Sequence, residues 1–300
     1  MPTRSFTAAR STLDELYAQF DEPSGVADPV HLVRRYRESA DIEIAGFCAA
    51  GLAFGRVASV IDSVTELLAL MGPSPAAFVR RFSPERDGPA LRHLRHRWIS
   101  GDDLVALVWI LRRLLETSGS LEQVFLRGYA LDAVDVGPAL DAFCTAARDI
   151  DLRPLRLLGV APERVSYFFP RPSDGSACKR LNLYLRWMVR KDRVDFGVWT
   201  RVDRAHLVVP LDTHVIRLGQ CLRLTHYRAP GWAMAREITM ALRRVDPHDP
   251  VKYDFSLCHI GMQNRCGFNQ PQRDAQCPLR GVCQPVVRRS RASRQPSVRR

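Results

Sequence analysis

Apolar residues recur along almost the whole chain at the spacing of an α-helix. Between positions 56 and 70, Val60, Val64 and Leu67 fall on one face, and the same spacing recurs between 231 and 245. A period near 3.6 residues brings such positions onto one stripe that can pack against a core. The pattern therefore predicts a mostly α-helical protein built as a bundle of short helices.

Capping signals and breaks place the ends of these helices. Ser100 followed by Asp103 resembles a capping box, in which a hydroxyl and an acid three residues later satisfy free backbone N–H groups. Asp28 and Pro29 are typical of another helix start, whereas Gly72 begins a break. The predicted helices span about 12–20, 29–37, 41–52, 56–70, 100–114, 175–190 and 250–262, with further starts at Ser120, Pro138, Asp212 and Gly231.

Prolines divide the chain into two helical lobes. Four of them stand between 151 and 172, which predicts a loop-rich crossing there. We therefore expect an N-terminal helical lobe at 1–150 and a second lobe at 151–262, with a short extended pair around Gly197. A cysteine-rich loop at 263–285 and a disordered basic tail at 286–300 complete the predicted organisation.

Charge narrows the class of partner. The chain has a formal net charge of +12 and a pI near 9.8, and its last fifteen residues carry six arginines and no acid. Such an excess favours a polyanion partner, and we expect nucleic acid. The N-terminus lacks the apolar core of a signal peptide, and no apolar run approaches the ~20 residues that cross a bilayer. We expect a cytoplasmic protein without a membrane partner.

Lysine is scarce in this chain. Lys179, Lys191 and Lys252 are the only lysines among 44 Lys and Arg residues. Arginine does not lose its proton near neutral pH and cannot act as an amine nucleophile, so a retained lysine suggests chemistry. The alternative is a chance survivor in an arginine-biased chain. The helical pattern places Lys179 with Arg186 and Arg190 on a face away from the apolar stripe, so we expect Lys179 to point away from the core. Lys179 is the leading candidate for chemistry, Lys191 is the second and Lys252 is a weak third.

The segment before Lys179 is a turn. Pro172-Ser173-Asp174-Gly175-Ser176 would present backbone N–H groups at a helix N-terminus, where a phosphate can bind. The alternative is an ordinary capped helix with an exposed basic face.

Asp212 follows the extended stretch 207–211 and precedes a predicted helix, a position typical of an N-cap. Its surroundings are Leu211-Asp212-Thr213-His214-Val215-Ile216-Arg217 and then Leu222-Arg223-Leu224. This string resembles the helix-hairpin-helix DNA glycosylases, in which Asp-Thr-His or a similar sequence carries the catalytic aspartate at a helix start. The resemblance matches Asp212 to that aspartate and Lys179 to the lysine of the preceding hairpin helix. We hypothesise that both side chains face one pocket.

The hairpin departs from the superfamily pattern. Pro170-Arg171-Pro172-Ser173-Asp174-Gly175 replaces the common Leu-Pro-Gly-Val-Gly, and the lysine-to-aspartate spacing is longer, as in archaeal 8-oxoguanine glycosylases. From about 34 to 262 the chain resembles an uncharacterised bacterial family, domain of unknown function 2400, which is related to the superfamily. Arg186-Trp187-Met188-Val189-Arg190 and the segment 249–255 carry this second resemblance.

The resemblance implies a two-lobed helical DNA repair enzyme of base excision repair. Such an enzyme binds damaged double-stranded DNA as a monomer at the nucleoid, flips a base into a pocket and releases it. Asp212 would assist the sugar or the nucleophile, and Lys179 would form a Schiff base that permits AP-lyase strand scission. The implied DNA-binding residues are Ser173, Gly175, Ser176, Arg186, Arg190, His214 and Arg217. The alternative function is nucleic-acid binding on the same scaffold without catalysis.

Eight cysteines complete the candidate chemistry. Four stand singly in apolar helical patterns, whereas Cys258, Cys266, Cys277 and Cys283 cluster near the end. Four thiolates suit a [4Fe–4S] cluster or a structural zinc, and the third alternative is no metal. Residues 277–283 resemble the last two ligands of the iron–sulfur glycosylases and Cys266 the first. The second ligand of those enzymes is missing here, because Asp274 stands three residues before Cys277. Cys258 is the candidate replacement for it.

Large aromatic residues do not identify a lesion. Phe47, Trp109 and Trp199 lie in apolar patterns and are predicted to be core residues rather than platforms for base stacking.

Overall fold

A computed structural model describes residues 3–20, 28–263, 277–280 and 282–283. Within these residues the chain is mostly α-helical, as the hydrophobic pattern predicted, and it contains no β-strand. The extended pair expected around Gly197 is reduced to an isolated bridge between Lys191 and Phe196.

The first half of the chain forms nine α-helices among the residues that the structure describes. In order they are α1 (Thr3–Phe20), α2 (Val30–Val33), α3 (Ser39–Gly51), α4 (Val57–Met71), α5 (Pro75–Arg81), α6 (Pro84–Arg92), α7 (Gly101–Ser118), α8 (Leu121–Leu126) and α9 (Gly137–Arg148).

The second half continues the bundle with shorter elements. The α-helices are α10 (Arg153–Leu157), α11 (Lys179–Val189), α12 (Thr213–Cys221), α13 (Trp232–Arg243) and α14 (Asp254–Met262). Single turns of 3₁₀ helix lie at Val165–Phe168, Pro172–Asp174 and Arg204–His206.

Local capping explains several helix starts. The capping box predicted before α7 is confirmed: the Ser100 hydroxyl accepts from the Asp103 N–H at 3.2 Å, and the Asp103 carboxylate accepts from the Ser100 N–H at 2.9 Å. The helices α5 and α6 had not been predicted. Each begins with a serine N-cap followed by proline, Ser74 before Pro75 and Ser83 before Pro84, and this pair is the signal that would have found them.

The helix α11 lies in the centre of the protein and packs closely against α3. Tyr184, Trp187 and Met188 of α11 are buried. A Cβ atom on Gly46 of α3 would lie 2.8 Å from the Met188 methyl carbon, so a larger residue there would force the end of the Met188 side chain to move. Phe47 and Trp199 belong to the same continuous core, as the sequence predicted, and Trp109 packs partly buried against it.

The face of α11 that carries Arg186 and Arg190 is buried and holds a network of ion pairs. Arg186 contacts Asp254 at 2.7 Å and Asp195 at 3.1 Å. Arg190 contacts Asp249 and Asp192, each at 2.8 Å, and also Asp195.

The expectation that Arg186 and Arg190 form an exposed basic face with Lys179 is therefore wrong. Each arginine is only 3% exposed, and the carboxylates that surround it occupy its guanidinium donors. The two residues link α11 to the loop that follows it, through Asp192 and Asp195, and to the start of α14 and the segment before it, through Asp254 and Asp249.

No single helix among the described residues is long and apolar enough to cross a membrane. Among the described residues, α4 and α5 together reach the length and apolar composition of a membrane span, but the two helices meet at a bend of 62°.

We expect Arg190→Gln to lower the free energy of unfolding by about 3 to 5 kcal/mol, because the variant leaves buried carboxylates without their counter-charge. Urea unfolding followed by circular dichroism measures this change. Arg201→Gln, which removes an exposed arginine, is the control and should change stability by less than about 0.5 kcal/mol. Equal stability of the two variants would contradict the structural role of Arg190.

Candidate functional site

A cavity of about 380 Å³ lies where the start of α11 meets α12 and α14. Lys179 and Asp212 both line it, so the structure brings together the two residues that the sequence singled out. The loop between α3 and α4 closes the other side with Phe54 and Gly55. We name this cavity the lysine–aspartate pocket.

Asp212 is held rigidly by its position as the N-cap of α12. Its Oδ1 atom accepts from the His214 N–H at 2.8 Å and from the Val215 N–H at 2.7 Å. Its Oδ2 atom accepts from the Cys258 thiol at 2.6 Å. All three partners donate to Asp212, and a carboxylate can accept all three hydrogen bonds.

Lys179 is the first residue of α11 and is half-buried at the edge of the pocket. The preceding Cys178 has φ +47°, a left-handed conformation, and no side chain caps the helix there. The other two lysines are placed differently. Lys191 is exposed outside the pocket lining, and Lys252 is paired with Asp14 at 3.0 Å and Asp246 at 2.7 Å.

Cys258 lines the pocket beside Asp212, and its thiol donates a hydrogen bond to the Asp212 carboxylate. Burial raises the pKa of its thiol well above the usual value, and the Asp212 carboxylate raises that pKa further. A metal ligand must be a thiolate, so metal binding by Cys258 would require loss of the proton that it donates to Asp212.

The remaining predicted ligands are described only in part. Cys266 lies outside the described residues, whereas Cys277 is buried and Cys283 is half-buried. Within the part of the chain that the structure describes, no three His, Cys, Asp or Glu side chains form a group that could hold a metal ion.

His214 lines the pocket because α12 and α14 approach closely at Gly261. A Cβ atom on Gly261 would lie 2.5 Å from the His214 Nδ1 atom, so a larger residue would displace the imidazole. Arg217 is exposed one turn further along α12 and lies outside the pocket lining.

The turn before α11 does not offer the predicted phosphate site. The Ser173 N–H and hydroxyl donate to Asp141 Oδ1 at 3.1 and 2.8 Å, and the Gly175 N–H donates to the Pro172 carbonyl at 2.9 Å. These donors are occupied, and the Asp141 carboxylate repels an anion at Ser173. The assignment of Ser173 and Gly175 to phosphate binding through this turn is therefore corrected.

A second and larger groove of about 760 Å³ adjoins the pocket. It shares Lys179, Ala53 and Phe54 with the pocket, so the two are continuous across these residues. Five cations and two carboxylates line this arginine groove, which also contains Ser176. The cations are Lys179, Arg148, Arg164, Arg171 and Arg180, and the carboxylates are Glu163 and Asp174.

An aromatic cluster stands at the boundary between pocket and groove. The Phe54 ring lies 4.8 Å from the Trp98 ring and 5.2 Å from the Tyr167 ring, measured between centroids. The guanidinium of Arg180 lies 3.4 Å from the Tyr167 centroid, which is the geometry of a cation–π contact. Trp98 is 39% exposed, so the cluster presents aromatic surface to solvent.

Sequence reasoning missed several pocket residues. Asp254 and Phe255 begin α14, and Phe54 lies in the α3–α4 loop. Cys258, also on α14, had been singled out only as a metal ligand and not as a pocket residue. Asp254 and Cys258 are four residues apart and thus share a helix face, which is a weak signal because many buried pairs have this spacing. For Phe54 the sequence contains no comparable signal.

Comparison with known proteins identifies a family. The sequence model described as "Protein of unknown function (DUF2400)" matches residues 28–263, which is more than half of the chain. This range includes every residue that lines the lysine–aspartate pocket. No curated protein and no solved structure matches the chain.

We expect Asp212→Asn to accelerate alkylation of Cys258 by iodoacetamide on the order of tenfold, because losing the carboxylate charge lowers the thiol pKa and thiolate is the reactive form. Asparagine keeps an oxygen for the helix cap. Peptide-resolved mass spectrometry reads Cys258 separately from the other cysteines.

The matched control is Asp132→Asn, which changes an exposed acid outside the pocket lining. It should leave the alkylation rate of Cys258 at the wild-type value. An unchanged rate in Asp212→Asn would show that the thiol and the carboxylate do not interact in solution.

Proposed function

We propose that this chain, which belongs to the DUF2400 family of proteins of unknown function, is a DNA glycosylase with its active site in the lysine–aspartate pocket. The observation that carries the proposal is the convergence of Lys179 and Asp212 on one cavity. They lie 33 positions apart, on separate helices, and each stands at a helix N-terminus.

The size and lining of the pocket support a nucleobase as the group that enters it. A volume of about 380 Å³ lies within the range of small-molecule sites, roughly 300 to 1,000 Å³. Phe54 and Phe255 supply aromatic surface, and Asp212 and His214 supply polar groups. A planar base with a polar edge is complementary to such a lining.

The arginine groove supports a polyanion as the remainder of the substrate. Five cations line it against two carboxylates, and Lys179 belongs to both groove and pocket. A nucleic-acid strand in the groove would place its phosphates among the guanidiniums while one nucleotide enters the pocket.

Lys179 and Asp212 would divide the chemistry. The Lys179 amine attacks the sugar carbon that carries the base, and the bond from that carbon to the base breaks. Cleavage of the bond from the same carbon to the ring oxygen then opens the sugar and gives the Schiff base that permits AP-lyase scission. The Asp212 carboxylate accepts the proton that the attacking nitrogen releases and opposes positive charge developing on the sugar. The carboxylate needs no reorganisation, because the α12 backbone and Cys258 already fix both oxygen atoms.

We expect Lys179→Arg to retain DNA binding and to abolish borohydride trapping on damaged duplex DNA, because a guanidinium keeps its charge and lacks a nucleophilic amine. A panel of duplexes with single lesions, assayed for trapping and for base release, is the measurement. Lys191→Arg is the matched control, since it makes the same change at an exposed lysine outside the pocket, and it should trap like the wild type.

Two outcomes contradict the proposal in different ways. Undiminished trapping by Lys179→Arg removes Lys179 from the chemistry. A wild-type protein that binds every duplex and releases no base favours the alternative, a non-catalytic nucleic-acid-binding protein that uses the arginine groove.

We also propose that the predicted [4Fe–4S] cluster, or a zinc ion in its place, is held by Cys266, Cys277 and Cys283 without Cys258. Thiolate ligands suit both metals. The support is the chemistry of Cys258, whose thiol is committed to Asp212.

Metal analysis of anaerobically purified variants tests this assignment. We expect Cys258→Ser to retain the iron or zinc of the wild type and Cys277→Ser to lose it. Circular dichroism controls for misfolding of the second variant, since Cys277 is buried. Loss of metal from Cys258→Ser would restore Cys258 as a ligand.

A further inference from the structure

Asp254 is a second carboxyl group in the lysine–aspartate pocket. It is the first residue of α14, is only 4% exposed, and lines the cavity together with Asp212. Its Oδ2 atom accepts from the Arg186 guanidinium at 2.7 Å. A carboxyl group that lines a cavity and is otherwise buried can exchange a proton with whatever the cavity holds.

The ion-pair network around Asp254 contains more acid than base. Arg186 and Arg190 face four carboxylates, those of Asp192, Asp195, Asp249 and Asp254. The exposed Arg204 reaches one of them, Asp249, at 4.0 Å. Among the residues that the structure describes, at least one buried carboxylate of this network therefore lacks a full counter-charge, and a buried charge is costly.

The negative charge of an ionised Asp254 would be only partly balanced by the arginines of this network. Asp195 contacts two arginines, whereas Asp254 contacts Arg186, which it shares with Asp195. Burial raises the pKa of Asp254 to about 7 despite the opposing pull of Arg186, and the nearby Asp212 and Asp195 carboxylates add to the rise. The charged or titratable groups that surround Asp254 or share its pocket are Arg186, Asp195, Asp212, Lys179, Asp28, His214, Cys258 and His259.

The two pocket carboxyl groups differ in their hydrogen-bond partners and in the charges around them. Asp212 accepts from two backbone N–H groups and one thiol, an environment that suits a carboxylate. Asp254 accepts from Arg186 through one oxygen and faces a second acid. Paired carboxyl groups with divergent surroundings commonly divide the roles of base and acid.

We propose that Asp254 is the catalytic acid of the pocket and protonates the base as it leaves, an inference that rests on the proposed glycosylase function. The bond between the sugar carbon and the base nitrogen breaks, and its electron pair moves to the base. The Asp254 proton neutralises the base, leaving a carboxylate that Arg186 stabilises. The Lys179 nitrogen forms the new bond to the sugar carbon, and its proton passes to Asp212.

The experiment compares wild type, Asp254→Asn and Asp249→Asn in base release across pH. Asp249→Asn is the matched control, because it changes a buried carboxylate of the same network that lies outside the pocket lining. We expect Asp254→Asn to lose about 100-fold in base release, the lower end of general acid catalysis, and Asp249→Asn to retain it. Wild-type activity should fall as pH rises through the pKa of Asp254, and Asp254→Asn should lack that fall.

Stability provides a readout that does not depend on activity. The pKa of Asp254 is raised on folding, so the stability gained from its neutral form is complete below the unfolded value of 3.8 and is lost as pH rises to about 7. Between about pH 5 and pH 8 the melting temperature of the wild type should therefore fall more than that of Asp254→Asn.

The possible outcomes distinguish failure of the acid role of Asp254 from failure of the glycosylase function. Active wild type with equally active Asp254→Asn overturns the acid role and leaves the glycosylase function intact. Equal pH dependence of melting in both proteins shows that Asp254 holds no extra proton, which also overturns the proposal. A wild type that releases no base from any duplex overturns the glycosylase function and, with it, the acid role of Asp254.

Discussion

The buried arginines of α11 are the constraint on which the candidate site depends. Arg186 joins α11 to Asp254 at the start of α14, and Arg190 joins it to Asp249 before that helix. Lys179 begins the same helix and Asp254 lines the same cavity. The ion pairs that hold the helices together therefore also fix the walls of the pocket.

Asp212 both caps the start of α12 and lines the lysine–aspartate pocket. The N-cap geometry that starts α12 orients its carboxylate toward Cys258 of α14, and the close approach at Gly261 brings His214 into the same lining. A helix cap is rigid because backbone N–H groups hold it. Rigidity of this kind suits a group that must oppose developing charge without rearranging.

Most of the secondary structure could be read from local patterns. The apolar period and the capping box at Ser100 predicted helices that the structure confirms, because both signals act within a few residues. The helices α5 and α6 could have been predicted from their Ser-Pro starts. For Arg186 and Arg190 on α11 the helical pattern was misleading. A sequence pattern predicts that arginine is exposed, whereas these two are buried because carboxylates from other segments of the chain surround them.

The sequence by itself determined the helical class, the basic charge, and Lys179 and Asp212 as candidate residues, because composition, period and a short motif are local properties. Only the tertiary structure decided that these two share a cavity, that Cys258 and Asp254 join them, and that Arg186 and Arg190 are buried. Those facts depend on contacts between residues tens of positions apart, which a linear pattern does not encode. Burial then decides what each ionisable group can do, since the same side chain is a surface charge in water and an ion-pair partner or proton donor inside the protein.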